Sequence, residues 1–207
     1  MHPVRRKATV MKVLVIGATG NIGRVAASAL EKQGHEVVRA SRSSEPSVDL
    51  ADSASVAALF DAVGPLDAVV VTAGGVPFKP VTELTREDYA DAFAVKTLGQ
   101  LDVVRHAFDH LNADGSVTLT SGVLSREPIA TAAAAAAANG AIESFVTTAA
   151  TEAPRGIRLN VVSPDVLENS PHFHATFPGH RPVSDEEVAR AFVRAVDGVD
   201  TGRTIIV

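Results

Sequence analysis

Gly17, Gly20 and Gly23 punctuate the stretch IGATGNIGR. Three missing side chains at that spacing let a pyrophosphate reach backbone N–H groups at the start of a helix, where the helix dipole also favours an anion. Thr19 can add a hydroxyl, and Asn21 and Ile22 complete the turn. Roughly 20 residues on, a dinucleotide site holds a second anchor: a carboxylate for a ribose 2′-hydroxyl or an arginine for a 2′-phosphate. The chain reads Ser41-Arg42-Ser43 there. This favours NADP(H), with NAD(H) left open because a polar-loop arginine also reads as a solvated cation. Asp49-Leu50 suit contacts to adenine, Asp49 alone reading equally as a turn residue, and Ala73-Gly74 allow close approach on the adenosine side.

Such a triplet carries this meaning only between a strand and a helix. Val13 to Ile16 form the apolar run before it, and Ile22, Val25, Ala26 and Leu30 follow with helical spacing up to Gly34. A strand over 35–40 comes next, then a third ending near Asp49, a helix over 54–63 and the strand LDAVVVTAGG. A long amphipathic segment over 86–111, capped by Thr85, leads to the strand SVTLTSG and an alanine-rich helix over 130–152. IRLNVVSP is a strand, Ser184 caps SDEEVARAFVRAV, and TGRTIIV closes as a strand. Seven strands alternating with helices predict an α/β, doubly wound fold, its parallel sheet covered on both faces. The alanines of 132–138 read as a tightly packed interface helix.

With 207 residues and no linker or internal repeat, the expectation is one domain over 11–207. Residues 1–10 read as a disordered tail or an upstream start, with Met11 an alternative beginning. The absence of cysteine excludes disulfides, thiolate metal sites and cysteine nucleophiles. A net charge of −5 gives no positive field for nucleic acid or an anionic membrane. No run approaches the roughly 18 apolar residues of a membrane span, and a cytoplasmic address follows by default.

The ordered set IGATGNIGR, VDLAD, VTAGG, LTSG and IRLNVVSP resembles the short-chain dehydrogenase/reductase family over essentially residues 11–207. The resemblance implies a seven-stranded Rossmann sheet, a nicotinamide cofactor, and a dimer or tetramer built on the two long helices. The second glycine falls at Gly20, where the usual pattern puts it at position 21. The family's chemistry uses an Asn, a Ser, a Tyr and a Lys, and of these only the serine is matched, by Ser121. Lys96 takes the asparagine position, Ala135 the tyrosine position and Asn139 the lysine position, so the amine and the amide are exchanged between two helices. Tyr89, the only tyrosine, lies near the start of the preceding helix. Ser163-Pro164-Asp165 replaces the family's Pro-Gly beside the nicotinamide, with Pro164 the matching contact.

The stretch 167–182 falls at the family's substrate loop, and its Pro, Gly, aromatic and His content suits a lid. His172 and His174 lack a second ligand cluster, so no metal is expected, and His172, His174 and His180 are candidate replacement proton donors. Two functions remain: an NADP(H)-dependent oxidoreductase for a small carbonyl or alcohol with a degenerate tetrad, or a nucleotide-binding sensor or assembly protein without turnover. The substrate is a small molecule in the first reading.

Overall fold

The computed structural model describes residues 10–207, so the tail expected over 1–10 lies outside the described residues except for Val10. Six parallel strands form one sheet: β1 Lys12–Ile16, β2 Glu36–Ala40, β3 Leu66–Val71, β4 Leu111–Thr120, β5 Arg158–Ser163 and β6 Thr204–Ile206, in the order β2-β1-β3-β4-β5-β6. The helices are α1 Asn21–Lys32, α2 Ser53–Val63, α3 Arg86–Phe93, α4 Gln100–His110, α5 Ala133–Ala149 and α6 Asp185–Asp197.

Strand alternation sorts the core into two layers, because successive side chains point to opposite faces. Leu14, Ile16, Val69 and Val71 point to one face, against Phe60 of α2, Val103 and Val104 of α4, and Ile142 and Val146 of α5. Val13, Val15, Ala68 and Val70 point to the other, against Ala26 and Leu30 of α1 and Phe192 of α6. Parallel strands buried on both faces are largely apolar, as β1 and β3 are, while β4 and β5 also bury Ser116, Thr118, Asn160 and Ser163.

The sheet has six strands where the sequence suggested seven. The segment ending near Asp49 is turns, joined by a single bridge between Ser41 and Ser47. The hydroxyls explain the difference: Ser41 Oγ accepts from the Ser43 amide, and Ser44 Oγ donates to the Pro46 carbonyl at 2.9 Å, local bonds that compete with a ladder. Pro46 also lacks a ladder donor.

The long segment over 86–111 is likewise interrupted. Thr85 and Asp88 cap α3 reciprocally, but a π-helical turn, Ala94–Gly99, separates it from α4. Gln100 compensates, its Nε2 donating to the Lys96 and Thr120 carbonyls at 2.8 and 2.9 Å while its Oε1 accepts from the Thr120 amide. The wide turn, often a mark of functional sites, is thereby tied to the end of β4.

Candidate active site

The strand order reverses beside β1, where an α/β sheet opens a crevice at its carboxyl end. A cavity of about 540 Å³ occupies that place, lined by Gly17, Thr19, Gly20, Ser41, Arg42, Asp49, Leu50, Ala73 and Gly74 among others. Gly17 has φ +83°, and its amide donates to the Ala40 carbonyl at 2.8 Å, which starts the turn over the ends of β1 and β2. Arg42 is exposed and bonds to no other described residue. Asp49 is engaged locally, its Oδ1 accepting from the Ala51 amide at 3.0 Å.

Four of the expected cofactor residues lie outside that lining. Gly23 packs α1 onto the loop: a Cβ there would stand 2.1 Å from the Gly17 oxygen. Ile22 packs into the apolar layer beneath α1. Asn21 faces the lid, its Nδ2 donating to Ser170 Oγ at 3.0 Å. Pro164 is buried, and its carbonyl accepts from the Val123 amide at 2.9 Å.

Beyond the cleft, β4, the π turn and α5 bring Ser121, Lys96 and Asn139 together. Lys96 Nζ donates to the Ser121 carbonyl at 3.2 Å, and a Cβ on Gly74 would meet Lys96 Cδ at 2.7 Å, so this lysine packs directly behind Gly74 of the cleft lining. Thr97 Oγ1 donates to the Ala138 carbonyl at 3.3 Å, fastening the turn to α5 just before Asn139. Asn139 Oδ1 is buried and has no partner among the described residues. Native proteins rarely strand such an oxygen.

Burial pushes the Lys96 ammonium down to about 8, from 10.5. The unfolded chain therefore binds this proton more tightly than the folded one, and Lys96 adds a stability cost below pH 8 that fades as pH rises towards 10.5. Lys96→Met is expected to be more stable than the wild type below pH 8, by on the order of 3 kcal/mol, with the advantage lost near pH 10.5. Urea unfolding of both proteins across that window checks it.

Sequence reasoning missed Glu143. One carboxylate oxygen, Oε1, accepts from Ser121 Oγ at 2.6 Å, Ser125 Oγ at 2.8 Å, Arg126 Nη1 at 2.7 Å and Ser163 Oγ at 3.1 Å. Burial pushes the Glu143 carboxyl up, but the hydrogen bonds from Arg126, Ser121 and Ser125 outweigh it and hold the group below its ordinary value. A signal was present: residues 135, 139 and 143 recur every four positions on one helix face.

The lid closes over this centre. Val166 and Phe177 pack with Val123, Leu124, Ala132 and Ala135, and Ala135 is wholly buried. The three loop histidines are spent on the lid itself: His180 Nδ1 meets Asp165 Oδ2 at 2.8 Å, His174 Nε2 contacts the Leu167 carbonyl at 2.8 Å, and His172 packs on Phe173.

A parallel sheet with a glycine turn and a crevice at its strand-order reversal defines a nucleotide-binding α/β protein. More narrowly, a family model described as Enoyl-(Acyl carrier protein) reductase matches residues 17–205, and the chain belongs to the short-chain dehydrogenase/reductase family. An uncharacterized oxidoreductase of Methylorubrum extorquens is 33% identical over 73% of this chain and 71% of its own length. A hydroxynaphthalene reductase-like protein of Metarhizium robertsii is 31% identical over 77% of this chain and 69% of its own. Among solved structures, the protein lin1944 from Listeria innocua is 43% identical, with TM-score 0.93, covering 96% of this chain and 100% of that one. A small-chain dehydrogenase in complex with NADPH is 29% identical, with TM-score 0.85, over 96% of this chain and 97% of that one.

Proposed function

We propose that the chain is an NADP(H)-dependent oxidoreductase acting on a small carbonyl or alcohol, with residues 11–207 as one cofactor-binding domain. Its reaction centre is Ser121, Lys96 and Asn139, without the family's Tyr and Lys. The carrying observation is the cleft that runs from the glycine turn past Arg42 to Gly74, with the Lys96 side chain packed behind Gly74 and its amine donating to the Ser121 carbonyl. Bound NADP(H) would supply or accept a hydride. The glycine turn would hold the pyrophosphate and Arg42 the 2′-phosphate. Lys96 and Asn139, offering donors and an acceptor, suit ribose hydroxyls.

Arg42→Ala is expected to weaken NADPH binding about 10- to 100-fold and to leave NADH unchanged, since a charge-assisted phosphate bond is worth ~1.5 to 3 kcal/mol. Calorimetric titration with both cofactors tests it, and equal affinity of the wild type for NADPH and NADH refutes the preference.

One observation favours the second reading, a sensor without turnover: Ala135, which the resemblance sets at the position of the family's acid, is wholly buried beneath Val166 and Phe177. NADPH oxidation against a panel of carbonyl compounds separates the two. Steady absorbance together with tight NADPH binding favours the sensor.

Assembly is proposed as a homodimer or tetramer through α4 and α5. Ala133 and Ala137 are exposed on α5, and Leu98 is 59% exposed on the neighbouring turn. Ala137→Glu is expected to halve the mass seen by light scattering, and a wild type already monomeric at micromolar concentration refutes the interface. No helix among the described residues is long and apolar enough to cross a membrane. We propose no nucleic-acid partner, on the chain's acidic charge, and a cytoplasmic address by default.

A further inference from the structure

Residues 167–182 run from just beyond β5 to the start of α6, with their base closed by the bridge between Leu167 and Val183. Between those points the lid touches two distant elements. Phe177 packs on Val123 and Leu124, which follow β4, and Ser170 meets Asn21, the first residue of α1. In the strand order β1-β3-β4-β5 the lid therefore spans the carboxyl edge of the sheet from β5 back to β1. Gly20 gives α1 no side-chain cap, so the first-turn amides are left for the diphosphate. A dinucleotide that runs from those amides towards Lys96 and Asn139 passes beneath the lid.

Asn21 stands where the family pattern has a glycine, and its amide makes the link. Its Oδ1 accepts from Arg24 Nη2 at 3.0 Å, which turns Nδ2 to the lid, where it donates to Ser170 Oγ at 3.0 Å. Ser170 Oγ donates in turn to Asn169 Oδ1 at 3.2 Å, and Asn169 Nδ2 donates to Asp185 Oδ1 at 2.6 Å. Every donor points one way, from a guanidinium on α1 to a carboxylate in the first turn of α6. Among the described residues, the bond from Asn21 is the one side-chain hydrogen bond that ties 167–182 to an element other than α6. Ser170 is only 5% exposed, so water is poorly placed to replace it.

Resting on the NADP(H) reading, we propose that Asn21 and Ser170 form a latch that holds the lid shut in the free and the cofactor-bound protein alike. NADP(H) enters and leaves when the latch breaks. A tether present in both states slows entry and exit by the same factor, which cancels from the affinity.

Stopped-flow association and dissociation of NADPH, followed by its fluorescence, test this with the wild type, Ser170→Ala, Asn21→Ala and the double variant. Each single variant is expected to raise both rate constants about fivefold, the worth of one hydrogen bond, and to leave Kd within about a factor of two. The double variant should be no faster than either, since both changes remove the same bond. Hydrogen exchange by NMR without cofactor reads the latch itself. The amides of Phe173 and Phe177, which bond within the lid, should exchange about fivefold faster in each variant, with α2 unchanged.

Rates or lid exchange equal to those of the wild type, faster dissociation with unchanged association, or effects that multiply in the double variant overturn the latch and leave the cofactor reading intact. A wild type that binds no NADPH overturns that reading and the gating together.

Discussion

Gly23→Ala is expected to unfold at a temperature roughly 6 to 12 °C below that of the wild type, from a loss of about 3 kcal/mol. The added Cβ would stand 2.1 Å from the Gly17 oxygen and 2.7 Å from Thr72 Oγ1. Neither can yield cheaply. The Gly17 carbonyl accepts from the Gly20 amide at 3.0 Å, and Thr72 Oγ1 donates to the Ile16 carbonyl at 3.0 Å, so the clash moves the glycine turn or the start of α1. Because that turn lines the cleft, NADPH affinity should fall with stability. Gly34→Ala serves as the contrast: its φ is +93°, yet a Cβ there meets nothing within 4 Å. Strain from that backbone alone should leave cofactor affinity intact. Thermal melts with NADPH titration of both variants check the pair, and a Gly23→Ala protein with wild-type affinity would show that helix packing does not set the turn.

The second large effect concerns the pair of residues the family would place on α5. Ala135→Tyr with Asn139→Lys puts both residue types at the positions, four apart, that the sequence resemblance assigns them, and from the sequence this looks like repair. The packing predicts damage. Ala135 is wholly buried among Val123, Leu124, Ala132, Val166 and Phe177, so a phenol must overpack that cluster or force the lid away, at ~1 to 3 kcal/mol. Asn139 is buried mid-way along α5, beside the turn that carries Lys96, so a second ammonium would share its surroundings with the first. An uncompensated buried charge costs ~3 to 5 kcal/mol. The double variant is expected to lose about 4 kcal/mol or more to urea and to gain no turnover on a carbonyl panel. A variant as stable as the wild type that oxidises NADPH faster would show that the lid opens readily enough to admit the phenol.

Branched apolar runs and the breaks at glycine made β1 and β3 legible, because a parallel strand buried on both faces is largely apolar, and β4 and β5 were legible despite their buried Ser116, Thr118, Asn160 and Ser163. The caps Thr85 and Ser184 were equally readable, since each uses residues within one turn of itself. The strand expected near Asp49 failed because serine hydroxyls satisfied the backbone locally, a competition that hydrophobic pattern does not register. The π turn at Lys96 escaped notice for a related reason. It depends on Gln100 reaching Thr120, twenty residues along the chain.

The sequence by itself determined the glycine turn, the arginine that follows β2, the identities at 96, 121, 135 and 139, and the family. These are local in the chain or ordered along it. Only the tertiary structure decided what those residues face. It set Lys96 against Gly74, left Asn139 Oδ1 without a partner, closed the lid over Ala135, and gathered Ser121, Ser125, Arg126 and Ser163 around Glu143. A hydrogen bond's direction depends on the protonation of its partner, and that partner lies 22 positions away on another element. No spacing rule along one chain carries that information, because it arises where separate strands and helices meet.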